Sequence, residues 1–151
     1  MRVLIVEDDL TVNLLFCEIF QDIGFEVVPV YCAAAAFQAI ESDTKVSALV
    51  TDIELGAGPN GFDVARRARI ANPRLPVVYV SGAATPSHRS EGVERSEFLQ
   101  KPFWPPEVVE ALRCVIRRET GSGESPADKP DDEPSVPDAD VVLTADSSVW
   151  L

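Results

Sequence analysis

The stretch Arg2-Val3-Leu4-Ile5-Val6, followed at once by Glu7-Asp8-Asp9, decides how the rest of the chain reads. Four consecutive apolar residues without polar alternation suit a short strand covered on both faces, the kind found in parallel sheets. The run stops on three successive acids. Past them, Val12, Leu15, Phe16, Ile19, Phe20 and Ile23 fall on one helical stripe, and Gly24 stands where a helix C-terminal cap belongs.

Working outward, the same two periods alternate. A strand is predicted from Phe25 to Val30, an alanine-rich helix from Ala33 to Glu41, and a buried strand from Ala48 to Thr51 ending on Asp52. A helix from Gly61 to about Ala71 is closed by Asn72-Pro73, and Pro76 to Val80 is a fourth buried strand. Beyond Ser81 the sequence GAATPSHRSEGVERS has weak periodicity, so a fourth helix there is short or irregular. Ser96 to Leu99 is the last strand, and a final helix starts near Pro105 or Pro106 with Val108, Val109, Leu112, Val115 and Ile116 on one face. Strands interleaved with helices imply an α/β fold: a doubly wound, five-stranded parallel sheet with right-handed crossovers and helices on both faces.

Composition sets the limits. The chain has 151 residues, 46% hydrophobic, with 13 Lys+Arg against 25 Asp+Glu and a net charge of −12. No apolar run nears the roughly 20 residues of a membrane span, so no membrane partner is expected. The acidic balance argues against nucleic acid, which requires clustered Lys and Arg. The start is no secretory signal, and Cys17, Cys32 and Cys114 form neither a disulfide framework nor a zinc pattern; they read as small core residues in a cytoplasmic protein. Residues 1–119 carry 12 basic and 17 acidic side chains, and 120–151 carry one and eight. The expected division is therefore a domain over 1–119 and a disordered acidic, proline- and serine-rich tail over 120–151, with a more apolar end from Val141 to Leu151.

In a doubly wound sheet the ligand site lies beyond the carboxyl ends of the strands. The unusual polar residues fall there: Glu7-Asp8-Asp9 after strand one, Asp52 after strand three, Ser81 after strand four and Lys101-Pro102 after strand five. If the strand order is the flavodoxin-like 2-1-3-4-5, Glu7, Asp8, Asp52, Ser81 and Lys101 converge on one crevice. Three carboxylates are costly together unless a cation joins them, and a hard divalent ion such as Mg²⁺ fits an oxygen donor set while leaving positions for phosphate oxygens. Lys101 and Ser81 add a compact positive charge and a hydroxyl, both suited to phosphoryl oxygens. Asp9 is expected to cap the following helix or to support the neighbouring acids from behind them, and not to be a ligand itself.

The pattern IVEDD, ALVTDIEL, VVYVSG and FLQKPF, in that order, resembles the receiver domain of two-component response regulators over residues 1 to about 119. The resemblance implies that Asp52 is the phosphoacceptor, with Mg²⁺ held by Glu7, Asp8, Asp52 and the backbone carbonyl of Glu54. It implies that Ser81 bonds the phosphoryl group, that Lys101 pairs with Asp52 and then with the phosphate, that Phe98 is a switch aromatic, and that Lys101-Pro102 is cis. The phosphodonor would be a histidine kinase or phosphotransfer protein, and output would pass to an unknown protein target or along a phosphorelay. Such a protein is no enzyme beyond its own phosphorylation and dephosphorylation. The 32 residues after 119 are too few and too acidic for a DNA-binding module, so a stand-alone receiver is expected.

Three departures stand out: the turn-rich GAGPN between Leu55 and Gly61, the weak fourth helix, and the bulky Trp104-Pro105-Pro106, where Trp104 is a candidate docking residue. His88, the single histidine, reads as a surface residue. Two alternatives remain: a receiver-like binding module independent of phosphorylation, and an aspartyl-nucleophile phosphatase resembling haloacid dehalogenases, disfavoured because its nucleophile follows the first strand. A flavodoxin-type electron carrier is disfavoured because Glu7-Asp8-Asp9 would repel the cofactor phosphate.

Overall fold

The computed structural model describes residues 1–42, 45–83 and 88–121. Ten elements alternate: β1 (Arg2–Val6), α1 (Leu10–Asp22), β2 (Glu26–Val30), α2 (Ala33–Glu41), β3 (Ala48–Asp52), α3 (Gly61–Ala71), β4 (Val77–Ser81), α4 (His88–Glu91), β5 (Glu97–Gln100) and α5 (Pro105–Thr120). The five strands are parallel in the order β2-β1-β3-β4-β5. The expected sheet is therefore found, with each strand end within a residue or two of its sequence-based position.

The continuous apolar runs serve two cores. Successive strand residues point to opposite faces. Leu4, Val6, Leu49, Val77 and Tyr79 pack with Ala36 of α2 and Phe62, Val64 and Ala68 of α3. Val3, Ile5, Val50, Val78 and Val80 pack with Phe16 and Phe20 of α1 and Val108, Leu112 and Val115 of α5. Each such side chain taken fully from water contributes about 1.5–3 kcal/mol before chain entropy is subtracted. At the sheet edge, β2 tolerates Pro29 opposite Ile5, because an edge strand can spare an N–H.

Local differences have local causes. Helix α1 begins at Leu10, ahead of the apolar stripe, because Asp9 Oδ1 accepts from the N–H groups of Thr11 (2.8 Å) and Val12 (3.1 Å). The cap expected of Asp9 is thus found. The GAGPN loop holds two residues in the left-handed region, Gly56 (φ 78°) and Gly58 (φ 103°), which only glycine occupies without strain. Helix α4 is a single turn, in keeping with the weak periodicity there. Cys32 is exposed at the start of α2 and so is not the core residue the sequence suggested, whereas Cys17 and Cys114 are half-buried, Cys17 against the core between the sheet, α1 and α5. The acidic stretch from 122 on lies outside the described residues, and α5 runs one residue past the boundary drawn at 119. Among the described residues no helix is long and apolar enough to cross a membrane.

Candidate functional site

The carboxyl ends of β1, β3 and β5 bring the predicted acids and the lysine to one place, and Ser81 ends the neighbouring strand β4. Glu7 follows β1 and is 1% exposed, Asp52 closes β3 at 6%, and Ser81 closes β4 fully buried. Asp8 is exposed beside them. One oxygen from each of Glu7, Asp8 and Asp52 lies within 4.8 Å of the others, so the three carboxylates could hold a metal ion. Lys101 reaches in from beyond β5, its Nζ donating to Glu7 Oε2 at 2.7 Å and to Asp52 Oδ2 at 3.0 Å. The Lys101-Pro102 peptide is cis.

Asp52 is held from several sides. Its Oδ1 accepts from the Glu54 N–H at 2.9 Å, while the Glu54 side chain faces solvent. Its carbonyl accepts from Thr51 Oγ1 at 2.8 Å. Gly61, the first residue of α3, sits so close that a Cβ there would lie 2.1 Å from that carbonyl oxygen; only glycine lets α3 approach the Asp52 peptide. Ser81 Oγ accepts from the Ala83 N–H at 3.2 Å, and the Ser81 carbonyl accepts from the Lys101 N–H at 2.8 Å, tying β4 to the lysine loop.

Electrostatics follow from crowding. Burial, reinforced by the Asp52 charge, pushes the Glu7 carboxyl up from 4.5 to about 7, with the Lys101 hydrogen bond pulling the other way. Burial pulls the Lys101 ammonium down, but its bonds to Glu7 and Asp52 outweigh this and hold it above its ordinary value. One ammonium among three acids leaves the site short of positive charge. A divalent cation bound by oxygens is the group that would complete it.

Phe98 lies apart from these acids, half-buried on β5 opposite Tyr79. Its ring stacks on His88 with centroids 5.3 Å apart, and His88 also meets Tyr79 edge-on at 5.4 Å and bonds Ser96 Oγ at 3.2 Å. His88 is therefore part of the α4–β5 packing and not the plain surface residue expected. Sequence reasoning also passed over Asn13, fully buried in α1, and Gly61; neither residue type in a helix signals a site. Trp104 is 62% exposed. Beside Lys101 a groove of about 460 Å³ runs between α1 and the start of α5, lined by Val12, Leu15, Phe16, Pro102, Phe103 and Pro105 together with Asp9, Thr11 and Lys101.

A doubly wound sheet in this order, with an acid cluster and a lysine at the carboxyl ends of its strands, defines a receiver-type domain. The chain belongs to the response regulator receiver domain family, whose model matches residues 3–113. A solved response regulator receiver protein from Sinorhizobium medicae is 33% identical with a TM-score of 0.76, over 79% of this chain and 96% of that one. A CheY-like receiver domain protein from Methanospirillum hungatei, 22% identical with a TM-score of 0.69 over 78% and 94% of the two chains, shares the fold. Among curated proteins, the alkaline phosphatase synthesis transcriptional regulatory protein SphR of Synechococcus elongatus is 30% identical over 85% of this chain and 52% of its own length. The probable transcriptional regulatory protein SilR of Salmonella typhimurium is 28% identical over 78% and 52%. The chain spans about half the length of these curated relatives.

Proposed function

We propose that the protein is a phosphorylatable switch of a two-component system, in which Asp52 accepts a phosphoryl group. The observation that supports this reading is the environment of Asp52: a buried-edge carboxylate held by Lys101 Nζ on one oxygen and the Glu54 N–H on the other, next to Glu7 and Asp8. A bare structural acid has no need of a lysine, two further acids and a glycine-permitted close approach.

Asp52 attacks the phosphorus of a phosphohistidine on a histidine kinase or phosphotransfer protein; the new O–P bond forms as the P–N bond breaks, and the imidazole leaves with its electron pair. Phosphoryl transfer has a loose, highly anionic transition state, so the residues contribute alignment and charge and no covalent chemistry beyond the nucleophile. Glu7, Asp8, Asp52 and the Glu54 carbonyl would hold Mg²⁺, which when bound neutralises charge on the phosphoryl oxygens. Lys101 exchanges its bond to Asp52 for one to the phosphate, and Ser81 supplies a hydroxyl to it. Movement of Ser81 frees space into which Phe98 turns, a local charge event biasing the α4–β5–α5 face toward a protein partner. Trp104, exposed beside the groove, contacts the phosphodonor, so Trp104→Ala weakens that binding without altering small-molecule phosphorylation. This exchange belongs in the cytoplasm, where such donors are found.

The test is intact mass after incubation with acetyl phosphate and Mg²⁺. One labile phosphoryl group is expected, absent with chelator and completely lost in Asp52→Ala. No adduct on folded protein would favour a binding module that works without phosphorylation, and an adduct persisting in Asp52→Ala would refute the assignment.

A further inference from the structure

Glu7 and Asp8 are consecutive, yet both deliver an oxygen to the same cluster as Asp52. In an extended strand, neighbouring side chains point to opposite faces. The peptide joining these two acids must therefore leave the pleat of β1, whose pairing with both neighbours ends at Val6. Something has to fix that peptide once the ladder no longer does.

Asn13 fills this need. It is fully buried on the inner face of α1, and its Nδ2 donates to the Glu7 carbonyl at 3.1 Å and to the Val30 carbonyl at 3.0 Å. Both amide protons are thus used, one on the peptide between the two acids and one on the end of β2. The Glu7 N–H bonds the same Val30 carbonyl at 3.2 Å, so the Glu7 backbone is gripped on both sides. Asn13 Oδ1 accepts from the Cys17 thiol at 3.5 Å, which orients the amide with its NH₂ toward the carbonyls. Aspartate could not donate here, and an aliphatic side chain would take the amide donor from the Glu7 carbonyl and leave the Val30 carbonyl with the Glu7 N–H alone.

We propose that Asn13 is a positioning residue for the cation site, holding the Glu7–Asp8 peptide so that both acids face one ion. This rests on reading Glu7, Asp8 and Asp52 as the Mg²⁺ site. Groups that orient metal ligands through a hydrogen bond typically change metal affinity about 10- to 100-fold when removed. A purely architectural role, joining α1 to β1 and β2, would instead lower stability and leave the affinity of the folded protein unchanged.

The experiment is a calorimetric Mg²⁺ titration of the full chain, wild type against Asn13→Leu, which keeps the volume and removes the donors, and Asn13→Ser, which keeps one donor. The dissociation constant is expected to rise about 10- to 100-fold in Asn13→Leu and by a smaller factor in Asn13→Ser. The acetyl phosphate reaction should show the same split: a higher Mg²⁺ requirement, with the rate at saturating Mg²⁺ within about twofold of wild type. If Asn13→Leu does not fold, the Asn13→Ser titration decides. Variants that bind Mg²⁺ as tightly as wild type, or whose rate deficit persists at saturating Mg²⁺, overturn the positioning role alone. A wild type that takes no Mg²⁺ overturns the underlying site reading as well.

Discussion

The two ends of the sheet each bury a carboxylate against cations, and they do so with opposite balances. At the carboxyl end, Glu7 and Asp52 share one ammonium, Lys101, with the Asp8 carboxylate beside them. At the amino end, Glu119, near the close of α5, has a side chain only 5% exposed, with Arg74 at 3.4 Å from one oxygen and Arg95 at 3.4 Å from the other. Two guanidinium groups serve one acid there, and Arg74 also donates to the Glu119 carbonyl at 2.8 Å. The amino-end cluster carries no excess of negative charge and joins α5 to the loops before β4 and β5. The carboxyl-end cluster has a charge deficit that a ligand can fill. A buried ion pair is therefore not a site by virtue of being buried; the sign of what is left over separates the two.

Removing the cation from the deficient end gives the largest effect on stability. Lys101→Met keeps the aliphatic stem and deletes the charge, leaving Glu7 and Asp52 to repel one another with Glu7 out of water. Breaking one side of a buried pair costs about 3–5 kcal/mol, and the partial exposure of Lys101 places this case near the lower bound. Chemical denaturation in chelator should show that loss, and saturating Mg²⁺ should restore a larger share of stability to the variant than it adds to wild type. Equal losses with and without Mg²⁺ would erase the distinction between the two ends.

A second test uses protons. Burial raises the folded Glu7 carboxyl to about 7 from 4.5. Folding of the metal-free protein therefore takes up a proton between those values, and the stability this group lends below about pH 4.5 is lost as pH rises through about 7. Glu7→Gln removes the titration. Between about pH 5 and pH 8 in chelator the variant should gain on wild type by on the order of 2 kcal/mol. A flat difference over that range would mean that Lys101 already neutralises Glu7 in full.

These two ends were unequally legible in the sequence. The strands announced themselves as apolar runs, and a rule about parallel sheets pointed to the strand ends, so Glu7, Asp8, Asp52, Ser81 and Lys101 could be put forward once the strand order 2-1-3-4-5 was assumed. His88 was misjudged because its ring stacking depends on how α4 and β5 fold against Tyr79, and a polar stretch of weak period carries no trace of that; Cys32 was misjudged because it ends up on the exposed side just before α2. Asn13 was invisible because a helical asparagine ordinarily faces water; its amide bonds the carbonyls of Glu7 and Val30, 6 and 17 positions away, and neither partner is marked by any periodicity. Glu119 stood among helix-end arginines and glutamates, and its partner Arg74 lies 45 residues off in sequence. Pairing across such separations leaves no periodicity to read.

The smallest effect is expected at the amino end, from Glu119→Gln. The glutamine keeps the shape and an acceptor for Arg74, whose bond to the Glu119 carbonyl is untouched, and both arginines are more than half exposed, so water screens much of what the carboxylate contributed. Glu119 Oε1 is buried without a hydrogen bond, which limits the loss further. The cost should be about 0.5–1 kcal/mol, shrinking at high salt and identical with or without Mg²⁺, as read by denaturation under the four conditions. A loss as large as that of Lys101→Met would mean that two partly hydrated guanidinium groups hold Glu119 as firmly as one ammonium holds Glu7. The charge left over at each end would then be the wrong quantity for telling a structural lock from a binding site.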